Sequence, residues 1–366
     1  MNQPGKQYYP QLDALRGLGI ILVFFYHAYK PAFGTSLFMQ FLNFCYENIY
    51  LSMDMFFALS AFIITHLAYA EIAANGNFSF KNFMTRRILR IWPLYFLILL
   101  LAYTAIKFTA AYLGKPVSLP PAAWYVFFVS NFYLEPHVFF LRQLWTISVE
   151  EQFYVFWGLA LLFFRKHIQY IMLFFAAVSI VFTVVSAIQF RPIYFHSLVY
   201  LYDMMLGAYF AWLIRKQAGL IRLIRSFSVK QSVLFYLFIP VLFVVFFFIN
   251  NNTTGTTNEV FDVLMRLLFV LHQGVLFVDQ MFNEGSIFNL ARQRFLIYTG
   301  RIAYGLYCFH GLVLTFGIIA FAKLGLDDQP LVFLLVMFVI TYCIAILSYK
   351  YIEKPFLKLK DRLRRA

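Results

Sequence analysis

The sequence predicts an all-α fold, a polytopic bundle of about ten transmembrane helices, and three observations predict it. Hydrophobic residues make up 62% of the 366 and only 13% are charged, with a mean hydropathy of +0.74. No water-soluble domain of this length could hide that much apolar surface. Apolar runs of roughly the ~20 residues that a spanning helix needs recur along nearly the whole chain. The basic residues, finally, are sorted by loop in a way that assigns an orientation.

The segments fall near 12–32, 48–70, 90–113, 145–164, 168–189, 196–214, 231–249, 260–281, 299–322 and 330–351. The first carries Arg16 and His27 and lacks a basic leader and a small-residue cleavage site, so it reads as a retained helix and not a secretory signal. Between the third and fourth, Pro120 to Leu134 is apolar but short and opens Pro-Pro. A span there would invert every later loop, so a re-entrant or interfacial piece is expected near 120–134. With both termini cytoplasmic, inner segments hold 22 of the 30 Lys and Arg residues. The outer loops keep only Lys30, Lys115, Arg142, Arg191 and Lys323. This positive-inside split accounts for the net charge of +14 without a nucleic-acid partner.

Cys308 and Cys343 lie within predicted helices and the cysteine count is odd, so no disulfide framework is expected. No internal repeat is visible, which argues against a carrier of two matched halves. The expectation is one integral-membrane domain over 1–366, with a basic cytoplasmic tail at 352–366 that is drawn to anionic lipid.

Ionisable groups inside spans are costly and mark function by default. Arg16 and His27 are eleven residues apart, almost three turns and about 16 Å of rise, so both face one way. Arg16 belongs near the inner end and His27 in the outer half, while Asp13 stands at pairing distance from Arg16. Asp54 on the second span, and Ser148, Glu150 and Glu151 on the fourth, lie at a similar outer depth. Imidazole, carboxylate and hydroxyl from three helices compose an acid–base site in which a carboxylate orients the His tautomer. At the inner side, Arg86 or Arg87 shares a helix face with Arg90, and guanidinium forks at that spacing suit phosphate oxygens. Plainer roles compete: inner arginines also determine topology, and Lys107 and Arg266 are expected to snorkel. His272 and His310, near mid-span, are further candidates. No metal site is expected.

Six ordered blocks carry a family resemblance. They run from Leu12-Asp13-Ala14-Leu15-Arg16-Gly17 to Tyr26-His27, then Asp54-Met55-Phe56-Phe57-Ala58-Leu59-Ser60-Ala61-Phe62, then Arg86-Arg87-Ile88-Leu89-Arg90-Ile91-Trp92-Pro93-Leu94-Tyr95. They continue with Trp145-Thr146-Ile147-Ser148-Val149-Glu150-Glu151-Gln152-Phe153-Tyr154, Gly300-Arg301-Ile302-Ala303-Tyr304-Gly305-Leu306-Tyr307 with His310, and Tyr351-Ile352-Glu353-Lys354-Pro355. In this order they resemble the acyltransferase family 3 of integral-membrane proteins, in the stand-alone form without an appended hydrolase-like domain. Ala61 stands where that family usually has Gly.

The resemblance implies O-acylation, most often acetylation, of a hydroxyl on an extracytoplasmic glycan or lipid-linked sugar, with cytoplasmic acyl-CoA (acetyl-CoA) as co-substrate. It implies His27 as the catalytic residue and Arg16 as its companion, Arg87 and Arg90 (with Arg86) on coenzyme A phosphates, and Ser148 and Glu150 near the reaction centre. Asp54 joins the catalytic candidates, and Tyr154, His310 and Asp13 are further ones. The expected location is a bacterial inner membrane. A transporter or lipid-linked-sugar flippase using its intramembrane charges is the rival reading.

Overall fold

The computed structural model describes residues 8–28, 34–114, 119–133, 139–283, 285–326 and 328–363. Of the positions named above, Lys30, Lys115, Leu134 and residues 364–366 lie outside them. The long helices are α1 (Pro10–Ala28), α2 (Leu37–Glu47), α3 (Leu51–Asn75), α4 (Phe80–Leu113), α5 (Trp145–Phe164), α6 (Ile168–Ile188) and α7 (Ser197–Arg215). There follow α8 (Val229–Asn252), α9 (Thr256–Phe282), α10 (Arg294–Arg301), α11 (Ala303–Leu324), α12 (Pro330–Ser348) and α13 (Lys354–Leu363). Every regular element among the described residues is helical, as the all-α expectation requires. In hydrocarbon a helix satisfies its backbone polar groups within one segment.

Among the described residues, eight helical stretches are long and apolar enough to cross a membrane. Ten segments are expected from the sequence, and the difference has an identifiable origin. The stretch from Phe140 to Ile188 contains both α5 and α6, and α1, with Asp13 and Arg16 among its residues, is not one of the eight. α4 starts ten residues before the predicted span, so Arg86, Arg87 and Arg90 lie on its own first turns.

The segment near 120–134 is not a spanning helix. It forms one short helix, Ala122–Val126, and a single 3-10 turn, Ser130–Phe132. Side chains of α4 and α5 satisfy its irregular backbone: Tyr95 donates to the Tyr125 carbonyl at 2.8 Å, Tyr103 to that of Pro120 at 2.6 Å, and Gln152 to that of Phe128 at 2.8 Å.

The chain divides into two compact units. The first comprises residues up to Tyr26, Lys30–Phe78 and Phe164–Arg301. Its helices meet through small residues that let backbones approach closely. Gly207 of α7 lies against the Ala58 carbonyl of α3, and a Cβ at Gly300 of α10 would run into the Asp13 carbonyl of α1. The second comprises His27–Tyr29, Ser79–Phe163 and Ile302 onward. In it Gly158 of α5 faces Phe80 and Phe83 of α4, and Gly317 of α11 admits Met337 of α12.

Candidate active site

The second unit holds the histidine that the sequence singles out. His27, in the last turn of α1, is exposed, whereas His310 of α11 is buried. Nε2 of His310 lies 3.2 Å from Nδ1 of His27, and the rings stack with centroids 5.1 Å apart. Nδ1 of His310 is 2.6 Å from the Tyr307 carbonyl oxygen. A carbonyl only accepts, so Nδ1 of His310 carries the proton. In a neutral His310 that leaves Nε2 as an acceptor, and Nδ1–H of His27 donates to it. The lone pair of a neutral His27 then falls on Nε2, the tautomer a general base needs. The sequence assigns this orienting role to a carboxylate; here a second imidazole occupies the nitrogen in question.

Beside this pair, the Tyr307 hydroxyl lies 2.5 Å from the Thr146 hydroxyl and also hydrogen-bonds the Gln143 carbonyl. Gln143 in turn donates to the Cys308 carbonyl at 3.4 Å, and its amide lies against Gly311. The start of α5 is thereby tied to the stretch of α11 that carries His310. Ser148 is fully buried and exchanges a 2.8 Å hydrogen bond with Ser130. Two residues on, Glu150 accepts from the Tyr154 hydroxyl at 3.1 Å, and buried Glu151 accepts from Trp92 Nε1 at 3.1 Å.

Of the inner arginines of this unit, Arg87 lies near one of these acids and over an aromatic ring. Arg87 is buried, with its guanidinium carbon 5.8 Å from the Tyr154 ring centroid, and it is a charged neighbour of Glu151. Arg90 is a charged neighbour of Glu353. The Trp92–Glu151 hydrogen bond joins the Arg86–Tyr95 and Trp145–Tyr154 blocks, and Arg90 brings charge near Glu353 of the Tyr351–Pro355 block. Tyr304 adds a hydrogen bond to the Ile91 carbonyl at 2.8 Å. Arg86 and Arg90 are half-buried on α4.

The first unit contains the remaining candidates. Arg16 donates to Asp13 at 3.3 Å, and Tyr8 donates to the same carboxylate at 2.8 Å while accepting from Arg301 at 2.9 Å. Burial raises the Tyr8 phenol above its ordinary value, so it stays a donor. Asp54 is buried and held by Arg266 in a bidentate contact, Nη2 to Oδ1 at 2.7 Å and Nε to Oδ2 at 3.3 Å. Arg266 also lies 3.9 Å from buried Asp203. The expectation that Arg266 snorkels is therefore corrected, because its guanidinium is drawn inward by two carboxylates. His272, the other mid-span histidine, stacks on Phe235 with centroids 4.2 Å apart and meets the Phe235 carbonyl at 3.1 Å, an arrangement of core packing.

His27 and His310 meet, and so do Arg87 and Tyr154, whereas Asp54 is joined to Arg266. The sequence reading missed Gln143, Thr146, Asp203 and Ser130. For Asp203 the signal was present, since acids and an arginine on three predicted spans must pair somewhere. For Gln143, Thr146 and Ser130 none was, because neutral polar residues at helix ends carry no cost that marks them.

A family model described as an acyltransferase domain matches residues 9–350. The chain belongs to acyltransferase family 3. Its relatives in that family include the peptidoglycan O-acetyltransferase OatA of Listeria monocytogenes, 25% identical over an alignment that covers 96% of this chain and 56% of the relative. A provisionally named O-acetyltransferase of Staphylococcus aureus is 28% identical over 96% of this chain and 58% of its own length. A provisionally named peptidoglycan O-acetyltransferase of Bacillus subtilis, YrhL, is 24% identical, with 95% and 55% covered. The chain thus spans a little over half the length of these curated relatives. No solved structure matches it significantly. With its apolar helical stretches, this member of acyltransferase family 3 is a multi-pass integral membrane protein.

Proposed function

We propose that the protein is a membrane O-acyltransferase that moves an acetyl group from a coenzyme A thioester, bound from the cytoplasm, to a hydroxyl of a cell-wall glycan on the outer face of a bacterial inner membrane. Membership of the family and the names of its relatives support the reaction class and the acceptor. The observation that carries the mechanism is the oriented histidine, Nδ1 of His27 against Nε2 of His310.

In the proposed step Nε2 of His27 takes the proton of the acceptor hydroxyl as its oxygen attacks the thioester carbonyl carbon. The new C–O bond forms, the C–S bond breaks, and the thiolate leaves with the proton that His27 returns. His310, locked by the Tyr307 carbonyl, holds the ring and shares the positive charge during the transfer. Arg16 and the group Arg86, Arg87 and Arg90 are the candidates for the donor's phosphates. Glu150 and Ser148 are candidates to position the reactants, with Asp13 and Tyr154 supporting Arg16 and Glu150. Asp54, held by Arg266, anchors α3 within the first unit.

The test is reconstitution of the full chain in proteoliposomes with radiolabelled acetyl-CoA and a panel of extracted cell-wall glycans. Label is expected in an ester on one glycan for the wild type and not for His27→Ala. Label in no acceptor and none released to water would overturn the proposal.

A further inference from the structure

The first unit contains a cavity that the chemistry above does not use. It measures about 290 Å³ and is walled by Gln11 of α1, Phe282 at the end of α9, and Asn283, Ser286, Phe288 and Asn289 of the connection to α10. Its wall is built. Gln280 donates to the Phe288 carbonyl at 2.6 Å and accepts from the Leu290 amide at 3.1 Å. Asn283 donates to Asp279 at 2.6 Å and accepts from Gly285 N at 3.0 Å. These bonds hold the connection against α9, so the cavity does not depend on a loose loop.

Three features indicate what it takes. Oε1 of Gln11 is buried and accepts no hydrogen bond, an acceptor that costs free energy until a donor arrives. Phe288 is 56% exposed at the rim, an open aromatic face beside carboxamides. The Arg225 guanidinium lies 4.2 Å above the ring of Phe282, which brings a cation to the wall. Carboxamides that read a donor–acceptor edge, an aromatic face and an arginine together fit a base followed by phosphate. A glycan could also stack on the ring, but the proposed glycan acceptor is on the outer face. The cavity lies at the start of α1 and the end of α9, on the side that the loop charges assign to the cytoplasm, where a nucleotide-bearing donor resides. At the low end of ligand-pocket volumes it seats part of a ligand, not a whole coenzyme.

We infer that this cavity is the seat of the adenine nucleotide end of the acyl donor, with the base on Phe288, its edge on Gln11 and Asn289, and phosphate toward Arg225. The inference rests on the coenzyme A reading above.

The experiment measures binding of radiolabelled adenosine 3′,5′-bisphosphate to the full chain in phosphatidylcholine nanodiscs. Wild type and His27→Ala bind alike, while Gln11→Leu and Asn289→Leu each weaken binding about tenfold, the loss of one well-placed hydrogen bond. In transfer assays the same two variants raise KM for acetyl-CoA and leave KM for acetyl-4′-phosphopantetheine, which lacks the nucleotide, unchanged. Absence of binding by wild type, binding unaltered in both variants, or KM raised equally for both donors would each overturn the assignment. Binding of the probe by wild type without acetyl product from any donor would retain the nucleotide seat and reject the acetyltransferase reading.

Discussion

The two units place ionisable groups among apolar helices in opposite ways. In the first, Asp54 and Asp203 flank Arg266, which bonds Asp54 at 2.7 Å and stands 3.9 Å from Asp203. In the second, His27 and His310 face each other 3.2 Å apart with no acid between them. The difference separates a clamp from the proposed reaction centre. Formal charges taken out of water are retained only while paired, so the carboxylates and guanidinium of α3, α7 and α9 fasten those helices and cannot change state cheaply. Two imidazoles need no counter-charge while neutral, and a proton on either ring can be redistributed along the hydrogen bond between them. The clamp therefore predicts a fold effect, and the histidine pair a rate effect.

The comparison breaks most readily at His27. Its ring is exposed and contributes little to the core, so His27→Ala is expected to lower acetyl transfer by about 10²–10⁴-fold, the range of a general base. Thermal stability in detergent, read by intrinsic fluorescence, stays at the wild-type value. A variant that unfolds instead would place His27 with the clamp.

Arg266→Met tests the other side. It leaves two buried carboxylates without their cation, a loss of about 3–5 kcal/mol, and folded protein recovered by size-exclusion chromatography falls sharply. Adding Asp54→Asn and Asp203→Asn to Arg266→Met removes the stranded charges and restores the folded peak. If Arg266→Met keeps its melting temperature and loses only activity, the triad is chemical and the contrast between the units collapses.

His310 sharpens the contrast because the role proposed for it is to position His27. Gln can accept the His27 Nδ1–H bond through its side-chain oxygen, whereas Leu cannot. His310→Leu is expected to lower kcat about 10–100-fold, in the range for loss of a residue that orients a functional imidazole, with KM for the donor unchanged. His310→Gln recovers most of that loss. Equal losses in both variants, with a lowered melting temperature, would make His310 a packing residue.

These outcomes also mark what the sequence disclosed. The all-helical fold followed from apolar run length and charge by loop, since each is a property of residues near one another in the chain. The face that His27 and Arg16 share on α1 followed for the same reason, since their spacing on one helix alone sets it. The partners of His27 and Asp54 were not, because tertiary pairing chose among several groups of the right chemistry. His310, 283 residues away, took the place expected for a carboxylate, and Arg266, 212 residues from Asp54, took the carboxylate. Resemblance placed His310 in a block but gave it no partner. The irregular segment near 120–134 was legible as a non-span from Pro-Pro and its length, while its attachment through Tyr95, Tyr103 and Gln152 was not.

The smallest effect concerns Glu150 of the second unit, whose surroundings combine features of both strategies. Tyr154 donates to Glu150 at 3.1 Å and also lies under Arg87. Tyr154→Phe keeps the ring, hence the cation–π contact and the packing, and removes only the hydroxyl. The net value of such a hydrogen bond is about 0.5–1.5 kcal/mol. If Glu150 merely completes a structural network, the whole amount appears as a lower melting temperature with kcat and KM unchanged. If Glu150 positions a reactant, the same amount appears as a roughly 2- to 12-fold loss of kcat/KM with the melting temperature held. The ratio of the two readouts assigns this acid to the clamp or to the reaction centre, because a single hydroxyl cannot supply both in full.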